Sequence, residues 1–300
     1  MLRLQSRVVQ IDLQRNGARI RLYNEDCIAG LQARLAAGSV SVVVTSPPYN
    51  LGVRYSQYDD AGSRQDYLRW LDAWAGAVKR VLHTDGSLFL NVSGKPTDAG
   101  VPFQVLAVML RHFVLQNTIH WIKSIAIDKK DVGDYEGITQ DVAVGHYKPI
   151  NSPRFVNDCH EYIFHLTHRG DVPLDRLAVG VPYRDKTNVA RWGRKQDLRC
   201  RGNTWFVPYK TIKNRGEQRP HPATFPPQLA GMCVQLHGVA NAALVVDPFA
   251  GIGSSAIACA DLGVPFIGFE IDAGYLGVAK ERLEKLDARH TAVVKSRPAR

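Results

Sequence analysis

The 300-residue chain has no apolar run near the roughly 18 to 20 residues that a membrane span needs, and MLRLQSRVVQIDLQ at its start lacks a signal-peptide h-region. The expectation is a cytoplasmic, soluble protein with no membrane partner. Cysteine is sparse: Cys27, Cys159, Cys200, Cys233 and Cys259 form no C-x-x-C pair, and His112, His120, His146, His160, His165 and His168 have no metal-ligand spacing. Reduced thiols, mostly in the core, and no bound metal are expected. With no internal repeat or low-complexity tract, organisation rests on periodicity and turn signals.

What is present is an enzyme-sized globular composition, 45% hydrophobic, with 38 Lys and Arg against 28 Asp and Glu. The net charge of +10 favours a polyanionic partner. QIDLQ and ARIRL flank Asn16-Gly17, a hairpin signal. A short helix over 27–36 leads into SVSVVVT, whose β-branched run reads as a parallel strand covered on both faces. From Ser63, Tyr67, Trp70, Leu71, Trp74, Val78 and Leu82 recur at helical spacing, with Ser63 and Asp66 as a capping box. Strands are expected at 86–93, in VLQNTIHWIK and in HEYIFHLT (160–167), with a helix over about 102–112. The sequence between and after the last two strands reads as an irregular polar insertion. A final helix is expected over about 275–286, before a frayed basic tail.

The C-terminal part is the clearest: NAALVVDPFAGIGSSAIACADLGVPFIGFEID reads as strand, glycine turn, helix and strand, with Gly263 as helix C-cap. In DPFAGIGSSAIA (247–258), Gly251 and Gly253 allow close approach of a nucleotide-like ligand, and Ser254 or Ser255 could cap the helix. Glu270 ends the next strand, where an acidic side chain accepts hydrogen bonds from both ribose hydroxyls of an adenosine. The full G-x-G-x-x-G of a dinucleotide fold is missing, which weakens NAD and leaves other adenosine cofactors open. A glycine turn serving helix packing alone is the bland alternative.

Asp247-Pro-Phe-Ala-Gly-Ile-Gly taken with Thr45-Ser-Pro-Pro-Tyr resembles the amino-methylating DNA methyltransferases that use S-adenosylmethionine. The order, catalytic turn first and cofactor glycines last, resembles their β group. LYNEDC (22–27), HEYIFHLT and HPATFPPQLA (221–230) extend the likeness over most of the chain outside 124–157 and 168–215. The resemblance implies an α/β, Rossmann-like methyltransferase sheet of seven strands, mostly parallel, with a circularly permuted motif order and a basic target-recognition insertion. It divides the chain into a catalytic part of the core (1–123), a remaining core strand with target-recognition regions (124–215, mainly 124–157 and 168–215), a cofactor-binding part (216–288) and a basic tail (289–300).

By the same resemblance, Asp247, Phe249, Gly251 and Gly253 line the methionine side of the cofactor, Glu270 holds its ribose and Asp26 lies near its adenine. His221 and Phe225 close over it, and Cys27, Thr45, Ala250, Ser254 and Ser255 complete the cofactor set. The catalytic set is Ser46, Pro47, Pro48 and Tyr49. A base's exocyclic amine is conjugated with its ring and is a poor nucleophile, so acceptors must draw it towards tetrahedral geometry. Ser46 Oγ and the Pro47 carbonyl are suitable acceptors, held by the two prolines, and Tyr49 can stack on a base flipped from the duplex. Direct attack by the amine needs no covalent intermediate. Family members with serine at the Ser46 position usually act on cytosine N4; those with Asp or Asn usually act on adenine N6.

Residues 183–219 hold eleven Lys or Arg and three Asp or Glu, interspersed with Trp192, Trp205, Phe206 and Tyr209. Arg184, Lys186, Arg191, Arg194, Lys195, Arg199 and Arg201, with Arg54 from LGVRYSQYDDAGS (51–63), are the candidate contacts to double-stranded DNA. Residues 51–63 are expected to form a mobile loop that orders over DNA; an ordinary surface connection is the alternative.

The reading is site-specific methylation of cytosine N4, with a homodimer and a cognate restriction endonuclease as further expected partners. Alternatives that stay open are adenine N6 methylation on the same scaffold, a nucleotide-dependent oxidoreductase, and a non-catalytic DNA-binding module.

Overall fold

A computed structural model describes residues 10–145, 150–191, 196–208 and 224–295. The expected hairpin is β1 (Gln10–Arg15) and β2 (Ala18–Asn24). Asn16 and Gly17 both take positive φ, 46° and 79°, the turn conformation that matches the twist of paired strands. The chain continues through α1 (Cys27–Arg34), β3 (Val40–Thr45), α2 (Arg64–Val81), β4 (Leu82–Val92), α3 (Val101–Met109) and β5 (Val114–Ile122). Next come β6 (Ser124–Ile127), β7 (Val142–Gly145), β8 (His160–Thr167), α4 (Thr187–Arg191) and β9 (Thr204–Phe206). The last elements are α5 (Pro227–His237), β10 (Val245–Asp247), α6 (Ser254–Leu262), β11 (Phe266–Glu270) and α7 (Ala273–Lys295).

The main sheet has nine strands in the order β1-β2-β11-β10-β3-β4-β8-β5-β9. The sheet has nine strands rather than seven: the expected hairpin strand β1 joins one edge, antiparallel to β2, and the unexpected β9 joins the other, parallel to β5. The central strands β2, β11, β10, β3 and β4 are mutually parallel. Three further readings are corrected. Trp205, placed in a basic recognition stretch by sequence, is 1% exposed in β9 and packs in the core. The insertion is not wholly irregular, because β6 and β7 form a small antiparallel sheet. The last helix runs on to Lys295, so most of the expected tail is helical.

Successive valines of β3 face opposite layers. Val42 and Val44 pack with α5, α6 and α7, while Val43 packs with α1, α2 and α3. Helix α2 covers its layer with Tyr67, Leu71, Trp74 and Val78, and Ser63 caps it by accepting from the Asp66 amide at 3.1 Å. Trp74 is fully buried, and truncating such a side chain costs about 3–5 kcal/mol.

From β10 the chain returns through α6 to β11 on one side; from β3 it returns through α2 to β4 on the other. The joint between β10 and β3 is therefore a topological switch point, where a crevice opens beyond the carboxyl ends of the strands.

Candidate active site

Both sequence motifs end at this joint. Parallel pairing sets Val42 against Val245 and Val43 against Val246, so the turn after β3 and the glycine loop after β10 emerge side by side. Thr45 Oγ1 donates to Asp247 Oδ1 at 2.6 Å, Ser255 Oγ donates to Asp247 Oδ2 at 2.6 Å, and the Phe249 amide donates to Oδ1 at 3.0 Å. Burial pushes the Asp247 carboxyl up to about 6 despite these bonds. The carboxylate thus ties three segments together from behind the crevice.

In the loop itself, Gly251 and Gly253 take φ of 48° and 79°, a left-handed conformation that favours glycine. A Cβ on Gly253 would also lie 3.0 Å from Ala279 Cβ. Ser254 Oγ, in the first turn of α6, is buried without a hydrogen-bond partner among the described residues. Glu270 accepts from the Gly251 amide and the Asp272 amide, each at 2.9 Å, and burial raises its carboxyl to about 7. Pairing of β2 with β11 sets Asn24 against Glu270, which brings Glu25, Asp26 and Cys27 to the same end of the sheet.

These groups surround a cavity of about 140 Å³. Ser46, Pro47, Pro48 and Tyr49 of the turn line it together with Asp26, Cys27, Phe225, Asp247, Phe249, Ala250, Gly251, Ser254 and Glu270. Thr45, Gly253 and Ser255 stand behind this wall and meet it through Asp247 and the α6 terminus. His221, Arg194 and Lys195 lie outside the described residues.

Residues 51–63 are more than a surface connection. Asp60 is 1% exposed and folds the segment by accepting from the amides of Asn50, Leu51 and Val53. Tyr55, Gln57 and Tyr58 then line the cavity with Trp70 of α2, and Ser56 Oγ donates to the Asp272 carboxylate. Sequence reading missed this aromatic wall because it assigned the segment to DNA.

At the turn, Ser46 Oγ lies 2.5 Å from Tyr49 Oη. Burial, then the charge of Glu161, raises the Tyr49 phenol well above its ordinary range, so it stays protonated. Asn91, Glu161 and Lys123 were also missed. They lie in or beside strands that carry several other polar residues, so no local pattern singles them out.

Three of the basic candidates are already engaged within the chain. Arg184 pairs with Glu136 at 2.9 Å, Lys186 pairs with Asp197, and Arg201 Nε donates to the Val179 carbonyl at 2.9 Å. Arg54, Arg191 and Arg199 are exposed. Among the described residues no His, Cys, Asp or Glu cluster could hold a metal, and no helix is long and apolar enough to cross a membrane.

Comparison with known proteins agrees with this geometry. The family profile N6/N4 methyltransferase, described as DNA methylase, matches residues 40–281. The Type II methyltransferase M.XycI of Xanthomonas campestris pv. cyanopsidis is 30% identical over 286 residues, covering 88% of this chain and 87% of that protein. The solved PvuII DNA methyltransferase, described as cytosine-N4-specific, superposes with a TM-score of 0.59 at 17% identity, covering 96% and 98% of the two chains. A DNA modification methylase of Thermus thermophilus, solved in complex with S-adenosyl-L-methionine and described as putative, superposes at 0.54 with 22% identity, covering 91% and 94%. At these identities the two superpositions establish the fold.

Proposed function

The chain belongs to the N6/N4 DNA methylase family, and on that premise we propose that it methylates the N4 amine of cytosine at a specific site in double-stranded DNA. It is an S-adenosylmethionine-dependent DNA methyltransferase, and the cavity fits that cofactor. Ser254 offers an unpartnered buried hydroxyl beside the α6 N-terminus for the amino-acid end, Glu270 a carboxylate for the ribose, and Asp26 with the aromatic side chains a slot for the adenine. When bound, the cofactor supplies an electrophilic methyl group on its sulfonium.

The protein's part is to position the amine. Ser46 Oγ and the Pro47 carbonyl, both at the cavity wall, accept from its two N–H groups and restore lone-pair character to the nitrogen. Two consecutive prolines hold those acceptors rigidly at the end of β3. Tyr49 stacks on the extruded base and helps to offset the few kcal/mol, on the order of a broken stack and pair, that flipping costs. Residues 124–157 and 168–215, apart from the core strand β9, serve target recognition, with Arg54, Arg191 and Arg199 contacting the duplex. The Type II designation of M.XycI supports protection of a site against a cognate endonuclease.

Serine at position 46 carries the choice of cytosine; the same scaffold with adenine N6 as target is the rival, because the family spans both amines. Methylation of a mixed-sequence DNA, followed by sequencing of the modified positions, tests the proposal. One short motif modified at cytosine supports it; modification at adenine assigns the rival, and no methylation with the cofactor bound contradicts both.

A further inference from the structure

Side chains that the proposed transfer does not use converge on its turn. Tyr49 Oη lies 2.5 Å from Ser46 Oγ, accepts from Asn91 Nδ2 at 2.9 Å and donates to the main-chain carbonyl of Asn91 at 3.1 Å. Asn91 Nδ2 also donates to Glu161 Oε2 at 2.6 Å, and Lys123 Nζ donates to Glu161 Oε1 at 3.0 Å. The Glu161 and Lys123 side chains are only 14% and 18% exposed, shielded enough that the pair constrains its neighbours.

The donor and acceptor inventory fixes the Asn91 end of this chain. Paired with Lys123, Glu161 is a carboxylate and can only accept, so the Asn91 carboxamide must turn its NH₂ towards it. Asn91 Oδ1 is consequently buried with no partner among the described residues. Rotating the amide would place that oxygen against a carboxylate oxygen, so the orphan persists. The second Nδ2 proton fills one lone pair of Tyr49. With the phenol's single proton directed to the Asn91 carbonyl at 3.1 Å or to Glu161 Oε2 at 3.4 Å, its remaining lone pair is available to the Ser46 hydroxyl proton. Ser46 is left with its lone pairs for the cavity.

We propose that Glu161, held by Lys123, is a positioning residue that sets the hydrogen-bond polarity of Ser46 through Asn91 and Tyr49, so that the serine offers acceptors to the target amine. The inference rests on Ser46 accepting from that amine. If the chain ran in the opposite sense, the phenol would occupy one serine lone pair and the serine proton would be free to turn towards the amine's N–H groups, which weakens the contact.

The test is a double-mutant cycle on turnover with S-adenosylmethionine and a duplex carrying the mapped site. Glu161→Gln keeps the shape but introduces a donor, which frees Asn91 to rotate. Its kcat should fall about tenfold or more, with Tm unchanged and with KM for both substrates and calorimetric cofactor affinity within about twofold of wild type. In a Ser46→Ala background the same substitution should cost less than about twofold, because its route of action is gone. Lys123→Gln should show the same split at smaller amplitude if Glu161→Gln does not fold. Wild-type kcat in the Glu161 and Lys123 variants, losses additive with Ser46→Ala, or losses that track Tm and cofactor affinity would each overturn the proposal. Full activity of Ser46→Ala would instead overturn the acceptor reading itself.

Discussion

Thr45 Oγ1 donates a 2.6 Å hydrogen bond to Asp247 Oδ1, joining buried side chains 202 residues apart at the seam between the two halves of the sheet. The bond registers the catalytic turn against the glycine loop. Thr45→Val removes it while preserving shape, and leaves Oδ1 with the Phe249 amide alone. We predict a loss of about 1–3 kcal/mol in urea unfolding, the usual penalty for an under-satisfied buried acceptor, with weaker cofactor binding by calorimetry. Thr45→Ser should recover most of both.

Glu270 makes cofactor affinity depend on pH. Burial holds its carboxyl near 7, so much of it is protonated in the free protein at pH 6, and a protonated acid accepts poorly from ribose hydroxyls. Affinity for S-adenosylmethionine should rise severalfold as pH increases from 6 to 8. Glu270→Gln should bind more weakly and show a flat profile over the same calorimetric series.

Stability has a pH signature of its own at the buried His165. Its Nδ1 accepts from Asn117 Nδ2 at 3.0 Å, its Nε2 faces Ser87 Oγ at 3.0 Å, and Ser87 meets His237 Nδ1 at 2.9 Å. Burial drives His165 down to about 3, so the folded chain refuses a proton that the unfolded chain takes near 6.5. The contribution is complete above pH 6.5 and is lost as pH falls towards 3. Asp247 and Glu270, both raised, act in the opposite sense, stabilising as pH falls through about 6 and about 7 respectively. The difference between wild type and His165→Gln isolates the histidine: the variant should be less stable at pH 8 and lose less on acidification.

DNA affinity should follow the exposed arginines. Arg191→Ala and Arg199→Ala should each weaken binding and lower the slope of log affinity against log salt by about 0.9 for each phosphate no longer neutralised. Arg184→Ala should change the slope less, because that guanidinium is already paired with Glu136.

Much of this molecule was legible before its fold was known, for local reasons. The valines of β3, the 3.6-residue spacing of Tyr67, Leu71, Trp74 and Val78, and Gly251 and Gly253 each encode their element in a few adjacent residues. Strand β9 did not, because three residues within an arginine-rich segment form a strand only when β5 supplies the hydrogen bonds. The same holds for the site. Ser46 and Tyr49 announce themselves by the prolines between them, whereas Asn91, Glu161 and Lys123 come from three separate stretches and acquire meaning only when β4, β8 and β5 lie side by side. The wall formed by Tyr55 and Tyr58 depends on Asp60 folding the loop back, an arrangement that spacing does not reveal.

The central claim is that Ser46 and the Pro47 carbonyl present a cytosine amine for direct methylation. Enzymatic digestion of methylated DNA to nucleosides, with chromatographic separation before mass analysis, tests it most directly, because N4-methyl- and C5-methyl-deoxycytidine share one mass. The account predicts N4-methyldeoxycytidine alone, its yield strongly reduced with Ser46→Ala. N6-methyldeoxyadenosine in its place would contradict the assignment of cytosine, and C5-methyldeoxycytidine would contradict attack by the amine.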